Sequence, residues 1–151
     1  MHPFREQDML DYIDVRETLE LKALKPARKR LDPTRLKEFL ARNSPDLKGK
    51  PQLENSLHQY WIELSENRYI RSFFAQFGIY HSYLFSYSTV ATSVIEEKAT
   101  EHRRILRTLL KQDWDSASKA LQKHIRSQRP NLTHLFDQLA KQKSSPGVQR
   151  K

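Results

Sequence analysis

Six histidines are spread along the 151-residue chain, at positions 2, 58, 81, 102, 124 and 134, and there is no cysteine. Disulfides and Cys-based zinc sites are thereby excluded, and the metal-binding chemistry left open is that of imidazole and carboxylate. Three of the histidines stand on apolar stripes at helical spacing. His58 shares its stripe with Trp61 and Ile62, His102 with Ile105, Leu106 and Leu109, and His124 with Trp114, Ala117, Leu121 and Ile125. Glu54 lies four residues before His58, which on a helix stacks the carboxylate and the imidazole on one face. Burying several imidazoles without partners is costly, and one shared divalent cation would satisfy them together. Such a donor set suits Zn, Ni, Fe or Mn. Taken singly, each histidine reads more simply as a core residue bonded to backbone or to a neighbouring side chain, so spacing alone leaves both readings standing. His81, next to Tyr80 and near Tyr83, either lines the same cavity or packs the core with those aromatics. His2 and His134 read as surface residues.

The elements that must position these groups are helical. The composition favours helix formers and charged residues, with 3 Gly and 7 Pro in the whole chain. Periodic segments separated by Pro, Asp and Ser point to an all-α, antiparallel bundle of six to seven helices. The first helix is expected over 6–25, carrying Leu10, Ile13, Leu19 and Ala23 inward, with Pro26 ending or kinking it. Asp32 followed by Pro33 opens a second helix that fades near Asn43, and 43–51 reads as a loop. A third helix covers 52–65, which would carry both Glu54 and His58. Asn67 caps an aromatic-rich fourth helix to Phe85. The S-x-x-E box of Ser93 and Glu96 opens a fifth to Lys111, and Asp113 caps a sixth to Ser127. Arg129-Pro130-Asn131 breaks the chain before a seventh helix, which reaches Lys143. Residues 1–10 read as a linker and 144–151 as a disordered basic tail.

The formal net charge is +9. The excess is scattered over 22–37, 103–111 and the tail, as on solvated helix faces, although a nucleic-acid surface would also use it. No window has the roughly 18 apolar residues of a membrane span, and the first eleven residues lack the apolar run of a signal peptide. A cytoplasmic protein without a membrane partner is the expectation.

Four segments resemble one known family, the FCD domain, which is the C-terminal ligand-sensing domain of GntR-type bacterial transcription regulators of the FadR subfamily. Residues 11–23 are similar to its opening helix, with Arg16 and Glu20 at the family's Arg and Glu positions. Glu54-Asn55-Ser56-Leu57-His58 resembles its Asp-x-x-Phe-His motif, with Glu for Asp and Leu for Phe. Ser65-Glu66-Asn67 corresponds to the turn that follows. The most specific segment runs from Glu101-His102-Arg103-Arg104-Ile105-Leu106 through Asp113, Ala117 and Ala120 to Lys123-His124-Ile125, and the separation of its two histidines matches the family pattern.

The resemblance implies an antiparallel bundle that holds Zn or Ni through an acidic residue and three histidines. By motif these are Glu54, His58, His102 and His124, with zinc foremost. It implies a small carboxylate effector bound beside or onto the metal, helped by Arg16, and a winged-helix domain whose grip on operator DNA the effector alters, usually in a homodimer. This sequence holds no winged-helix pattern, so DNA binding is expected only through a separate or missing domain. The effector pocket is expected to include Arg16, Tyr80, His81 and Tyr83, walls that suit sugar acids, dicarboxylates or hydroxyacids alike. For Arg16 the alternative is a surface i,i+4 ion pair with Glu20. Three departures stand out: Glu54 is one methylene longer than Asp, the link from the second helix to His58 is short, and Pro26 interrupts a helix that normally continues.

Two other functions compete with the sensor. One is a helical-bundle metalloenzyme, since a metal with open positions supports hydrolysis. However, no further general base falls near the ligands by spacing, because Glu101, beside His102, points to another face. No enzymatic activity is therefore expected. The other is a basic nucleic-acid-binding helical protein.

Overall fold

In the first helix, residues 9, 12, 13, 16, 20, 23, 24 and 27 are buried along a single stripe of helical period. That stripe includes the charged pair Arg16 and Glu20, so this helix carries its polar chemistry into the core. The computed structural model describes residues 5–88 and 91–144. Among them are eight helices and no strand: α1 (Glu6–Ala27), α2 (Pro33–Arg42), α3 (Ser56–Leu64), α4 (Arg68–Gln76), α5 (Gly78–Ser88), α6 (Thr92–Leu110), α7 (Trp114–Arg126) and α8 (Gln128–Ser144). The bundle expected from periodicity is therefore present. α1 lies against α3 and α7, α6 packs on α7 and α2, and α8 rests on α1, α5 and α7. Met9, Ile13, Phe39, Leu57, Trp61, Ile105, Leu106, Leu121 and Ile125 form the centre of a continuous apolar core. No helix of the described residues is long and apolar enough to cross a membrane.

Several boundaries follow the capping chemistry. Asp32 accepts the Thr34 amide at 2.9 Å, Asn67 accepts Tyr69 and Ile70 at 3.1 Å each, and Asp113 accepts Ser116 at 3.2 Å. Other boundaries differ from expectation. Pro26 sits inside the last turn of α1, where its missing N–H removes one hydrogen bond without breaking the element. α1 begins at Glu6, where the first helix was expected, and so takes in residues 6–10 of the N-terminal linker segment. The aromatic helix is split at Phe77, making one more segment than the seven expected at most. The Ser93–Glu96 capping box does not form, because the N-cap position of α6 falls on Ala91. Pro130 lies in the first turn of α8, where its fixed φ is tolerated and no amide is missed. Of the tail expected over 144–151, Ser144 is the last residue of α8 and 145–151 lie outside the described residues.

The boundary that matters most is that of α3, which begins at Ser56 rather than Gln52. Glu54 precedes the helix, so the i,i+4 stacking of Glu54 on His58 does not occur. Instead the Ser56 amide donates to Glu54 Oε1 at 2.8 Å, which occupies one of the unsatisfied N–H groups at the start of α3.

Candidate metal and effector site

α3, α6 and α7 each contribute one imidazole to a single point. His58 Nε2 and His102 Nε2 are 3.2 Å apart, and His102 Nε2 and His124 Nε2 are 3.1 Å apart. All three residues are at most 1 % exposed. They form a group whose ligand atoms lie within 4.8 Å of one another, so the inward phase read from the three stripes is observed.

The outer nitrogens assign the tautomers. His58 Nδ1 faces Glu20 Oε1 at hydrogen-bonding distance. His102 Nδ1 donates to Asn43 Oδ1 at 2.9 Å, and His124 Nδ1 donates to Glu101 Oε1 at 2.9 Å. The Asn43 amide is oriented unambiguously, because its Oδ1 also takes the Glu54 N–H at 3.0 Å while its Nδ2 donates to Phe39 O at 2.9 Å. An imidazole with its proton held on Nδ1 presents a lone pair at Nε2. Three such lone pairs converge here, with Arg16 NH2 3.5 Å from that of His58, an arrangement that a cation relieves. Oxygen acceptors behind ligating imidazoles are also what orients them toward a metal. The donor set fits a divalent ion with open positions.

Burial pushes all three histidines well below the usual pKa of 6.5, and the cationic Arg16 lowers each of them further. His81 is lowered to about 3, again chiefly by burial. The folded chain therefore holds these rings neutral, whereas the unfolded chain protonates them near pH 6.5. Folded-state pKa values below the unfolded ones mean stability that is present above about pH 6.5 and lost as the pH falls. Each ring contributes up to about 1.4 kcal/mol per pH unit. Denaturant titrations of metal-free protein between pH 7 and 5 should show this steep loss; a flat profile would mean that the rings are solvated.

Two cation–carboxylate pairs flank the imidazoles. Arg16 Nε donates to Glu20 Oε2 at 3.0 Å, and both side chains are buried to 1 % or less. Glu20 Oε1 also accepts from Trp61 Nε1 at 2.8 Å. Arg16 NH2 lies 3.3 Å from His58 Nδ1, and Arg16 NH1 donates to Gln128 Oε1 at 2.6 Å. The i,i+4 pair with Glu20, the alternative to an effector contact, thus exists, but in the core rather than on the surface, and Arg16 also borders the void beside the imidazoles. On the other side, Lys98 Nζ donates to Glu101 Oε1 at 3.2 Å and to Ser127 Oγ at 2.6 Å. Glu101, expected to point elsewhere, reaches His124 instead.

The remaining expected residues are placed unevenly. His81 joins the site: its ring centroid is 5.6 Å from that of His58, and its Nε2 accepts from Asn55 Nδ2. Tyr80 turns away to stack on Tyr12 at 5.4 Å, and Tyr83 is partly exposed; neither borders the void beside the imidazoles. Glu54 is not part of the histidine group, although its Oε2 is buried without a hydrogen-bond partner. The sequence reading missed Lys98, Asn43 and Gln128. Lys98 carried a signal, since it stands four residues before His102 on the same inward stripe. Asn43 and Gln128 lie at helix ends, where no periodicity speaks for them.

The void bordered by these side chains is only about 10 Å³, near the size that admits one water. A depression of about 650 Å³ between α1 and α7 shares no residue with this site.

A family model described as the FCD domain matches residues 11–127. No curated protein and no solved structure matches significantly.

Proposed function

We propose, from the premise that this chain belongs to the FCD domain family, that it is the metal-dependent sensing domain of a GntR/FadR-type transcription regulator. FCD domains are effector-binding regulatory domains of such regulators and work with a DNA-binding domain. In the present reading, His58, His102 and His124 hold one divalent ion, zinc foremost, and a small organic or sugar acid binds it through a carboxylate. One observation carries this: the three Nδ1 protons are engaged by Glu20, Asn43 and Glu101, which leaves three Nε2 lone pairs facing one point. The bound ion would supply Lewis acidity and open positions for an anionic oxygen.

The charge balance supports an anionic effector. Arg16 with Glu20 and Lys98 with Glu101 are two neutral pairs. A divalent ion adds two positive charges to a buried site, and an anion offsets them. Glu54 remains the proposed fourth ligand. Its buried Oε2 has no hydrogen-bond partner while Oε1 holds the Ser56 amide, and Glu54→Gln should weaken metal binding without unfolding the protein. Effector binding would be passed to a winged-helix domain and so to operator DNA, usually through a homodimer.

The test is direct. Protein purified without a His tag should carry about one equivalent of divalent metal per chain. In a thermal-shift screen of small organic acids, some should raise the melting temperature of the metal-loaded form and not of the stripped form. If no acid shifts either form, the sensor reading fails. A salt-dependent shift of nonspecific DNA by this chain alone would favour the nucleic-acid alternative.

A further inference from the structure

The void beside the imidazoles, about 10 Å³, is too small to hold any organic acid. Next to it lies a second cavity of about 280 Å³, between α5, the first turn of α6, and α8. Among the described residues the two share a wall made of Leu84 and Gln128, which border both. Gln128 is also the residue whose Oε1 sits on Arg16 NH1 at 2.6 Å. An amide oxygen here occupies the place a carboxylate oxygen would take on that guanidinium.

The second cavity is apolar in its walls, with Leu84, Val94, Leu132 and Leu135. One polar group is unspent in it: Asn131 borders the cavity, and its Nδ2 is buried without a hydrogen-bond partner. Such a donor costs free energy until an acceptor reaches it. Ser93, His134 and Gln138 border the cavity from exposed positions, so it can be entered from solvent.

We infer that this cavity is the body-binding half of the effector site, and that Gln128 is a stand-in for the effector's carboxylate. The inference rests on the carboxylate-sensing reading above and narrows its ligand class. The effector is a carboxylic acid with an apolar body, aromatic or branched aliphatic, and one acceptor for Asn131, rather than a polyhydroxylated sugar acid. Its carboxylate displaces Gln128 from Arg16, and its body lies against Leu84, Leu132 and Leu135. Gln128 is the first residue of α8, so its displacement acts on the helix that closes the site.

The probes are acetate, benzoate and gluconate, titrated calorimetrically into zinc-loaded protein. Benzoate should bind about tenfold or more tightly than acetate, the factor expected from burying the apolar surface of a ring, and gluconate should bind no better than acetate. Leu135→Trp, at a partly buried position, should fill the cavity and erase the benzoate preference while acetate affinity and zinc content persist. Val94→Phe, approached from α6, should do the same and guards against a folding defect in either variant. Equal affinities for benzoate and acetate, or a benzoate preference that survives both substitutions, would overturn the cavity assignment while leaving acetate binding, and with it the sensor reading, intact. If no acid binds the zinc-loaded protein, both readings fall together.

Discussion

His102→Leu should abolish metal uptake and erase the thermal stabilisation that zinc gives the parent protein. His102 is the middle ligand, its Nε2 lying 3.2 Å from that of His58 and 3.1 Å from that of His124. Removing it leaves two imidazoles on α3 and α7, too few for a tight site of imidazole donors. A ligand that binds only the folded state stabilises it by about 4 kcal/mol at a thousandfold excess over its dissociation constant, and all of that should vanish. The metal-free proteins should behave differently. There the substitution removes one of three mutually repelling lone pairs and keeps an apolar side chain of similar bulk. Asn43 Oδ1 still receives the Glu54 amide, so no buried acceptor is orphaned. The stripped variant should therefore melt within a few degrees of the stripped parent, while the zinc-loaded pair diverges widely. Elemental analysis and melting curves, each with and without zinc, separate the outcomes. Equal destabilisation in both states would mean that His102 is a core residue and nothing more.

The divergence between stripped and loaded states is also where the sequence reading was at its limit. Helical phase was sufficient to turn His58, His102 and His124 inward, because all three lie within continuous helix and share stripes with Trp61, Ile105, Leu121 and their neighbours. Phase failed for Glu54, since a four-residue spacing means one face only if both residues are helical. Pro51 and the short link after α2 keep 51–55 out of α3, and the carboxylate then serves the end of that helix. The break at Phe77 resets the phase of the aromatic segment, so that His81, Leu84 and Phe85 border the void beside the imidazoles while Tyr80 and Tyr83 do not. Arg16 was legible both as an effector contact and as half of an ion pair with Glu20. The position of the two on the α1 stripe between Ile13 and Ala23 is the signal that the pair is buried, against the general rule that charged residues stay at the surface. The outer partners Asn43 and Glu101 come from elements distant in sequence or from the flank of a helix, and periodicity within one segment carries no information about them.

Burial of that pair leads to the second large effect. Glu20→Gln should destabilise the protein by about 3–5 kcal/mol, a large fraction of the roughly 5–15 kcal/mol that holds an ordinary domain together. Glu20 accepts three hydrogen bonds, from Arg16 Nε, His58 Nδ1 and Trp61 Nε1, and it is fully buried. The amide is the same size but carries no charge, and one of its two polar atoms is a donor. It leaves the Arg16 guanidinium uncompensated at 1 % exposure, the circumstance that makes a broken buried pair so costly. The double substitution Arg16→Met with Glu20→Leu removes both charges together, and a buried ion pair exchanged for apolar groups of similar volume often costs little. Its chemical unfolding curve should therefore move back toward the parent's, short of it by the cost of leaving Trp61 Nε1, His58 Nδ1 and Gln128 Oε1 without partners. Metal binding should not return with it. Without Glu20 the Nδ1 proton of His58 has lost its acceptor, the ring is free to change tautomer, and zinc affinity should fall by about 10- to 100-fold, as it does when the partner behind a ligating histidine is removed. Acid binding should fall as well, because Arg16 is gone. A double variant that recovers stability and also binds zinc and acids like the parent would show that the pair is structural only, and that the residues orienting His58 lie elsewhere. Recovery of stability without recovery of binding would place Arg16 and Glu20 in the sensing site by a readout that folding alone does not move.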